Sequence, residues 1–106
     1  MYCRKKCMKM LDEMGFRPTR SGTEYIAQGV ERVMADRRAS MTKDIYPGIA
    51  AAVGRSPKAI ERAMRSALED AQNNPDWEWQ WGRIGGWDNP TNREVLHRLA
   101  RALDED

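Results

Sequence analysis

The sequence predicts an all-α domain of five or six helices built around a central helix-turn-helix. Five segments repeat their apolar residues at the three- and four-residue spacing of an amphipathic helix. Ser, Thr and Pro stand where these helices would begin, whereas strand-like alternation is confined to one short stretch. The 106 residues are 41% hydrophobic and 32% charged. A chain of this size forms one core, so we expect residues 1–106 to be a single domain.

The first two helices are predicted from an apolar stripe and from a capping motif. A helix over residues 2–14 carries Cys3 and Cys7 on one apolar stripe, and we expect both thiols to be buried. Ser21 and Glu24 form the capping box S-x-x-E, which opens the second helix.

The third helix is predicted between Thr42, as its N-cap, and Val53. Pro47 lies inside this segment and lacks the backbone donor that a helix interior needs. Two alternatives follow: the helix is kinked at Pro47, or it begins near Pro47.

The fourth helix begins with a strong local signal. Gly54 provides a turn, and Ser56-Pro57 reads as an N-cap followed by proline at the first helical position. We expect this helix over about residues 57–72. Two helices joined by a short turn containing Gly make a helix-turn-helix over about residues 42–73.

The segment after the fourth helix changes in character. Trp77, Trp79 and Trp81 alternate with polar residues, which fits either a short strand or a loop packed over the core. We expect the loop, because no partner strand is predicted. Thr91 and Glu94 then form a second capping box, which opens the last amphipathic helix.

The sequence contains few residues that could support catalysis or bind a metal ion. The chain has one histidine, His97, and two cysteines in a C-x3-C arrangement, whereas a structural zinc site needs four ligands. No phosphate-binding loop or nucleophile motif is present. We therefore expect no enzyme activity, no metal and no cofactor.

The charge distribution points toward a polyanionic partner. The net charge is +2, but residues 1–40 carry +4 and residues 73–106 carry −3. The longest apolar run is too short to cross a membrane. We expect a cytoplasmic protein that makes no membrane contact.

The outward face of the fourth helix carries the candidate DNA-contacting side chains, which are Lys58, Glu61, Arg62, Arg65 and Ser66. In the major groove, Arg and Lys donate to guanine O6 and N7, and Glu accepts from cytosine N4. The further candidates, in the turn and at two helix starts, are Lys43, Arg55, Ser56 and Asn92. The same pattern also fits a solvated helix with i,i+4 ion pairs such as Glu61–Arg65.

Three runs of the sequence resemble a known family. They are T-K-D-I-Y-P-G-I-A at 42–50, I-E-R-A-M-R at 60–65 and P-T-N-R-E at 90–94. Together they resemble the C-terminal effector domain of the sporulation initiation transcription factor, the master response regulator of endospore-forming bacteria. The similarity covers about residues 8–103. It implies an all-helical domain whose second motif helix enters the major groove, with protomers in tandem on adjacent DNA boxes.

The resemblance also implies roles for single residues. Glu61 takes the place of a base-contacting glutamate, and Arg62 and Arg65 take the places of arginines at the backbone and bases. Ser66 stands where the family often has histidine. Ala59 stands where the family typically has a base-reading arginine, so the preferred DNA box is expected to differ.

The favoured function is a sequence-specific regulator of transcription that binds double-stranded DNA. We also expect the protein to form a homodimer or tandem protomers on DNA, and RNA polymerase is a further expected partner. Full-length family members carry an N-terminal phosphoacceptor receiver domain, so we expect a stand-alone regulator or a part of a larger protein. The alternative is a protein-interaction module on a retained helix-turn-helix scaffold. In it the Trp segment, residues 75–90, or the acidic C-terminal end binds another regulator or polymerase.

Overall fold

The computed structural model describes residues 1–105, in which it has six α-helices and one π-helical turn. They are α1 (Arg4–Met14), α2 (Ser21–Ala35), the π-helical turn (Met41–Ile45), α3 (Tyr46–Val53), α4 (Pro57–Ala71), α5 (Trp77–Arg83) and α6 (Asn92–Asp104). No strand occurs in this part of the chain, so the predicted all-α class is confirmed. None of the helices within residues 1–105 is both long and apolar enough to cross a membrane.

Helix α2 lies at the centre of the packing, and its main neighbours are α4 and α6. At Gly22, a Cβ atom would come 2.0 Å from the main-chain oxygen of Ala63 in α4. At Gly29, a Cβ atom would come 2.7 Å from a methyl group of Leu96 in α6. Fully buried side chains from five α-helices fill the core, among them Cys7, Leu11, Val30, Val33, Ile49, Ile60, Met64, Val95, Leu96 and Leu99. The close crossing at Gly22 holds α4 against α2, and the one at Gly29 holds α6 against α2.

The two cysteines lie in different environments. Cys7 in α1 is fully buried, as predicted. The prediction for Cys3 is wrong, because this residue is exposed. Cys3 precedes the first helical residue and has an extended backbone, with φ −126° and ψ 107°. A residue outside the helix does not follow its angular spacing, so Cys3 leaves the apolar stripe.

The start of α2 differs from the predicted capping box. Arg20 is the residue before the helix, and the side chain of Ser21 caps no backbone amide. Glu24 instead accepts a hydrogen bond from Arg4 of α1, at a nitrogen–oxygen distance of 2.6 Å. The carboxylate of Glu24, which the local pattern assigned to the cap, therefore forms an ion pair with Arg4 of the neighbouring helix.

Pro47 is the second residue of α3, but the backbone is already helical before it, because Ile45 has φ −69° and ψ −60° and the amide of Tyr46 donates to the carbonyl oxygen of Met41. The missing N–H of Pro47 therefore falls at the junction between a π-helical turn and an α-helix. The regular helix thus begins next to Pro47, at Tyr46, and the wider π-helical turn precedes it. The predicted N-cap Thr42 is wrong. The cap is Ser40, whose Oγ accepts from the main-chain nitrogen of Lys43 at 3.2 Å.

The Trp segment is helix α5, so the predicted loop is wrong and the strand alternative does not form either. Trp77 and Trp81 are four residues apart and share the buried face of the helix, with ring centroids 5.7 Å apart. Trp79 between them is exposed. In a strand all three tryptophans would share one face, whereas in a helix only Trp77 and Trp81 do. The buried face of α5 also brings Trp77 against Phe16, at 6.1 Å between ring centroids.

Candidate nucleic-acid interface

The turn between α3 and α4 has the geometry that its sequence predicted. Gly54 lies in the left-handed region, with φ +72°, and its amide donates to the carbonyl oxygen of Ala50 at 2.9 Å. Ser56 caps α4, because its Oγ accepts from the amide of Ala59 at 3.1 Å. The side chain of Ser56 is therefore engaged in ending the turn and starting α4.

Helix α4 separates an apolar face from a charged face, as its periodicity predicted. The buried residues of the helix are Ile60, Met64, Ala67, Leu68 and Ala71. The exposed residues are Pro57, Lys58, Arg62, Arg65, Ser66 and Glu69, and Glu61 is half-buried. Since Ile60 and Met64 are fully buried, the rotation of α4 about its axis is set by the core. The charged face consequently points to solvent.

The charged side chains of α4 are of two kinds. Arg65 forms an ion pair with Glu61 one turn earlier, at 3.1 Å, as the solvated-helix reading of the sequence predicted. The side chains of Lys58 and Arg62 make no hydrogen bond or ion pair within residues 1–105. These two cations are thus available for an external anion without losing an internal contact.

Two of the predicted interface residues have internal partners. Arg55 donates from Nη1 to the hydroxyl of Tyr25 at 3.1 Å, and its guanidinium lies 6.0 Å from the centre of that ring. Asn92 donates from Nδ2 to the hydroxyl of Tyr46 at 3.1 Å and to the carbonyl oxygen of Glu61 at 3.2 Å. Burial raises the pKa of Tyr46, although the hydrogen bond from Asn92 partly offsets this effect. Both residues join the helix-turn-helix to the surrounding helices.

Lys43 lies at the other edge of the motif. Its side chain is exposed on the π-helical turn before α3. It has no ion pair within the part of the chain that the structure describes. The structure thus brings Lys43, Lys58 and Arg62 into one helix-turn-helix as three exposed cations.

The sequence analysis missed two arginines beside α4. Arg17 and Arg20 belong to the segment between α1 and α2. The Nε atom of each lies 3.2 Å from Oδ2 of Asp70, and Arg20 also donates to the Oγ of Ser66 at 3.2 Å. No periodic pattern could have found them, because only the packing of α2 on α4 brings this segment to the end of α4.

A comparison with known protein families agrees with this geometry. Residues 7–103 match the family described as Sporulation initiation factor Spo0A C terminal. The match covers nearly the whole chain and includes all of α2 to α5 and the helix-turn-helix. The family consists of DNA-binding effector domains of transcription regulators and is not an enzyme family. The predicted resemblance is thereby confirmed: the chain belongs to the family of Spo0A C-terminal domains, and it is a DNA-binding regulator.

Proposed function

We propose that this protein is a sequence-specific transcription regulator whose helix α4 binds in the major groove of double-stranded DNA. The observation that carries the proposal is the pair of unpartnered cations, Lys58 and Arg62, on the outward face of the second motif helix. An α-helix fits the major groove, and its side chains reach the edges of the bases there. The fixed rotation of α4 supports a single docking orientation.

The residues of α4 suit different contacts. Arg62 and Arg65 have the bidentate geometry that recognises guanine O6 and N7, and Lys58 offers a point charge to a phosphate or a guanine. Glu61 can accept from cytosine N4, but its carboxylate is paired with Arg65 at 3.1 Å. We infer that Glu61 and Arg65 act together, since the carboxylate restricts the positions that the guanidinium can take.

The surrounding residues would hold the DNA backbone. Lys43 is exposed at the start of the motif and suits a phosphate contact. Ser56 and Arg55 support the turn, and Asn92 supports α4 through the carbonyl of Glu61. We therefore assign Lys43 to phosphate binding and the other three to positioning.

The half-buried Ala59 supports a changed sequence preference. It stands where the resemblance implies a base-reading arginine, and its methyl group offers no hydrogen bond. An alanine can contact a thymine methyl group but cannot recognise guanine. We propose that the DNA box of this protein differs from the family pattern at the base pair beside Ala59, and that tandem protomers occupy adjacent boxes.

Selection of bound duplexes from a random pool, followed by sequencing, tests the proposal. We expect an enriched motif for the native chain and loss of that motif for the double variant R62A/R65A. Each arginine that reads a guanine is expected to contribute about 1–3 kcal/mol of discrimination. The matched control is R101A, because Arg101 forms a similar i,i+4 ion pair with Glu105, at 3.2 Å, on α6. Unchanged affinity and an unchanged motif in R62A/R65A would exclude major-groove binding by α4.

A protein-interaction module is the second candidate function, and the exposed tryptophans favour it. Trp79 and Trp87 have 66% and 84% of their surface exposed, whereas aromatic side chains of this size are usually buried or at interfaces. Under this proposal the Trp segment binds another regulator or RNA polymerase. A complex with purified polymerase that persists in R62A/R65A and is lost in W79A would support it, and W87A tests the second ring.

A further inference from the structure

Two arginines and one aspartate form a compact charged cluster at the end of α4. The Nε atoms of Arg17 and Arg20 both lie 3.2 Å from Oδ2 of Asp70. The side chain of Asp70 is only 11% exposed, whereas those of Arg17 and Arg20 are 67% and 41% exposed. The carboxylate is therefore enclosed, and the two guanidinium groups present their outer edges to solvent.

The cluster carries an excess of positive charge. Two guanidinium groups share one carboxylate, which leaves a net charge of +1. Each guanidinium has five N–H donors. Arg17 and Arg20 are ion-paired with Asp70 without a hydrogen bond to its Oδ2, and Arg20 uses one donor on Ser66. The remaining donors suit the oxygens of a phosphate, which guanidinium groups bind in a bidentate manner.

The position of the cluster extends the charged face of α4. Lys58, Arg62, Ser66 and Asp70 follow one another at intervals of four residues, so they form a row along one side of the helix. Lys58 and Arg62 supply positive charge to the first half of the row. Arg20 and Arg17 supply it to the second half, where α4 itself has a serine and an aspartate. The row spans about 18 Å, which is twelve residues at the rise of an α-helix.

The charge of the cluster also opposes the field at the end of the helix. Asp70 lies in the last turn of α4, where the helix dipole is negative and both a carboxylate and a phosphate are disfavoured. One arginine would balance Asp70. The second leaves the end of α4 attractive to an anion, and a role confined to stabilising Asp70 does not require it.

We propose that Arg17 and Arg20 form a phosphate clamp that binds the DNA backbone beside the C-terminal half of α4. Asp70 and Ser66 are positioning residues that hold the two guanidinium groups against the helix. The clamp rests on the proposed docking of α4 in the major groove, and it deepens that function by adding a backbone contact from outside the helix-turn-helix. It compensates in overall affinity for the cation that is absent at Ala59.

The test is the salt dependence of binding to a random-sequence DNA duplex. Each lost phosphate contact reduces the slope of log affinity against log salt by about 0.9. We expect R17A/R20A to reduce the slope by about 1–2 and to weaken binding roughly tenfold or more at ~0.1 M salt. The single variant R17A leaves Asp70 paired with Arg20, so it keeps the cluster folded and still tests one contact. Rescue by R17K/R20K, which preserves the charge, is expected to be partial because lysine is not bidentate.

The matched control is R37A/R101A, which also removes two arginines from ion pairs. Arg37 is 41% exposed and pairs with Asp104, and Arg101 is 69% exposed and pairs with Glu105. Both pairs lie at the C-terminal end of α6, away from its contact with α4 at Asn92. Thermal unfolding of each variant monitors its fold.

The outcomes separate this inference from the proposed function. A reduced slope in R17A/R20A and R17A, with the slope of R37A/R101A close to native, supports the clamp. A slope in the clamp variants equal to that of the control, together with weaker binding by R62A, overturns the clamp and leaves the groove model standing. Native binding by R62A as well overturns both.

Discussion

The side-chain amide of Asn92, at the start of α6, donates a hydrogen bond to the carbonyl oxygen of Glu61, in the middle of α4, at 3.2 Å. The same nitrogen donates to the hydroxyl of Tyr46 at 3.1 Å. Both hydrogens of one amide thus connect three helices around the motif. We propose that Asn92, which sequence analysis placed among the DNA-binding residues, holds α4 in place rather than binding phosphate.

The variant N92A tests this positioning role. We expect the free energy of unfolding to fall by about 1–3 kcal/mol, because two half-buried groups lose their hydrogen-bond donor. We also expect the salt slope of DNA binding to stay at its native value, since no phosphate contact is lost. Denaturant unfolding and binding titrations measure the two quantities, with R93A as the exposed neighbouring control. If N92A had native stability and a reduced salt slope of DNA binding, Asn92 would be a DNA-contacting residue rather than a positioning residue.

The variant G22A tests the close crossing of α2 and α4. A Cβ atom at this position would lie 2.0 Å from the oxygen of Ala63 and 2.8 Å from the Cβ of Ala67. Because the nearest atom belongs to the backbone, the two helices must move apart, and we expect a loss of about 3 kcal/mol or more in unfolding free energy. The control G82A adds a methyl group with no atom within 4 Å, and it should be neutral or slightly stabilising. Similar melting temperatures for the two variants would show that the crossing is looser than described.

Thiol labelling tests the difference between the two cysteines. We expect an alkylating reagent at neutral pH to modify Cys3, which is exposed, and to spare Cys7, which is fully buried. Burial raises the pKa of the Cys7 thiol to about 11, so the reactive thiolate is scarce in the folded state. Mass spectrometry should find one label on the native protein, two after unfolding, and none on native C3S. Rapid double labelling of the native chain would contradict the buried placement of Cys7.

The single histidine offers a test of its local environment. Burial lowers the pKa of His97, and the charges of Arg93 and Arg37 lower it further. We expect its NMR titration midpoint below 6.5 in the folded protein and near that value in denaturant. The unfolded state then binds more protons, so stability decreases as pH falls through this range. The variant H97Q should lack this component of the pH dependence of stability. A titration midpoint above 6.5 for His97 in the native protein would contradict the expectation and place the ring beside an acidic group.

The sequence by itself determined the helical class and the motif, because these depend on local physical chemistry. Amphipathic spacing, the left-handed Gly54 and the Ser56-Pro57 start are each specified by a few adjacent residues. For the same reason the orientation of α4 was predictable: Ile60 and Met64 must enter the core, so Lys58 and Arg62 must face outward.

The tertiary structure decided which side chains have partners. Glu24 pairs with Arg4 rather than closing its own cap, Trp77 and Trp81 form a helix against Phe16, and Asn92 supports α4. Arg17 and Arg20 reach the end of α4 only because Gly22 lets α2 pack closely against it. Such contacts join residues far apart in sequence and depend on the geometry of packing, so no local pattern encodes them.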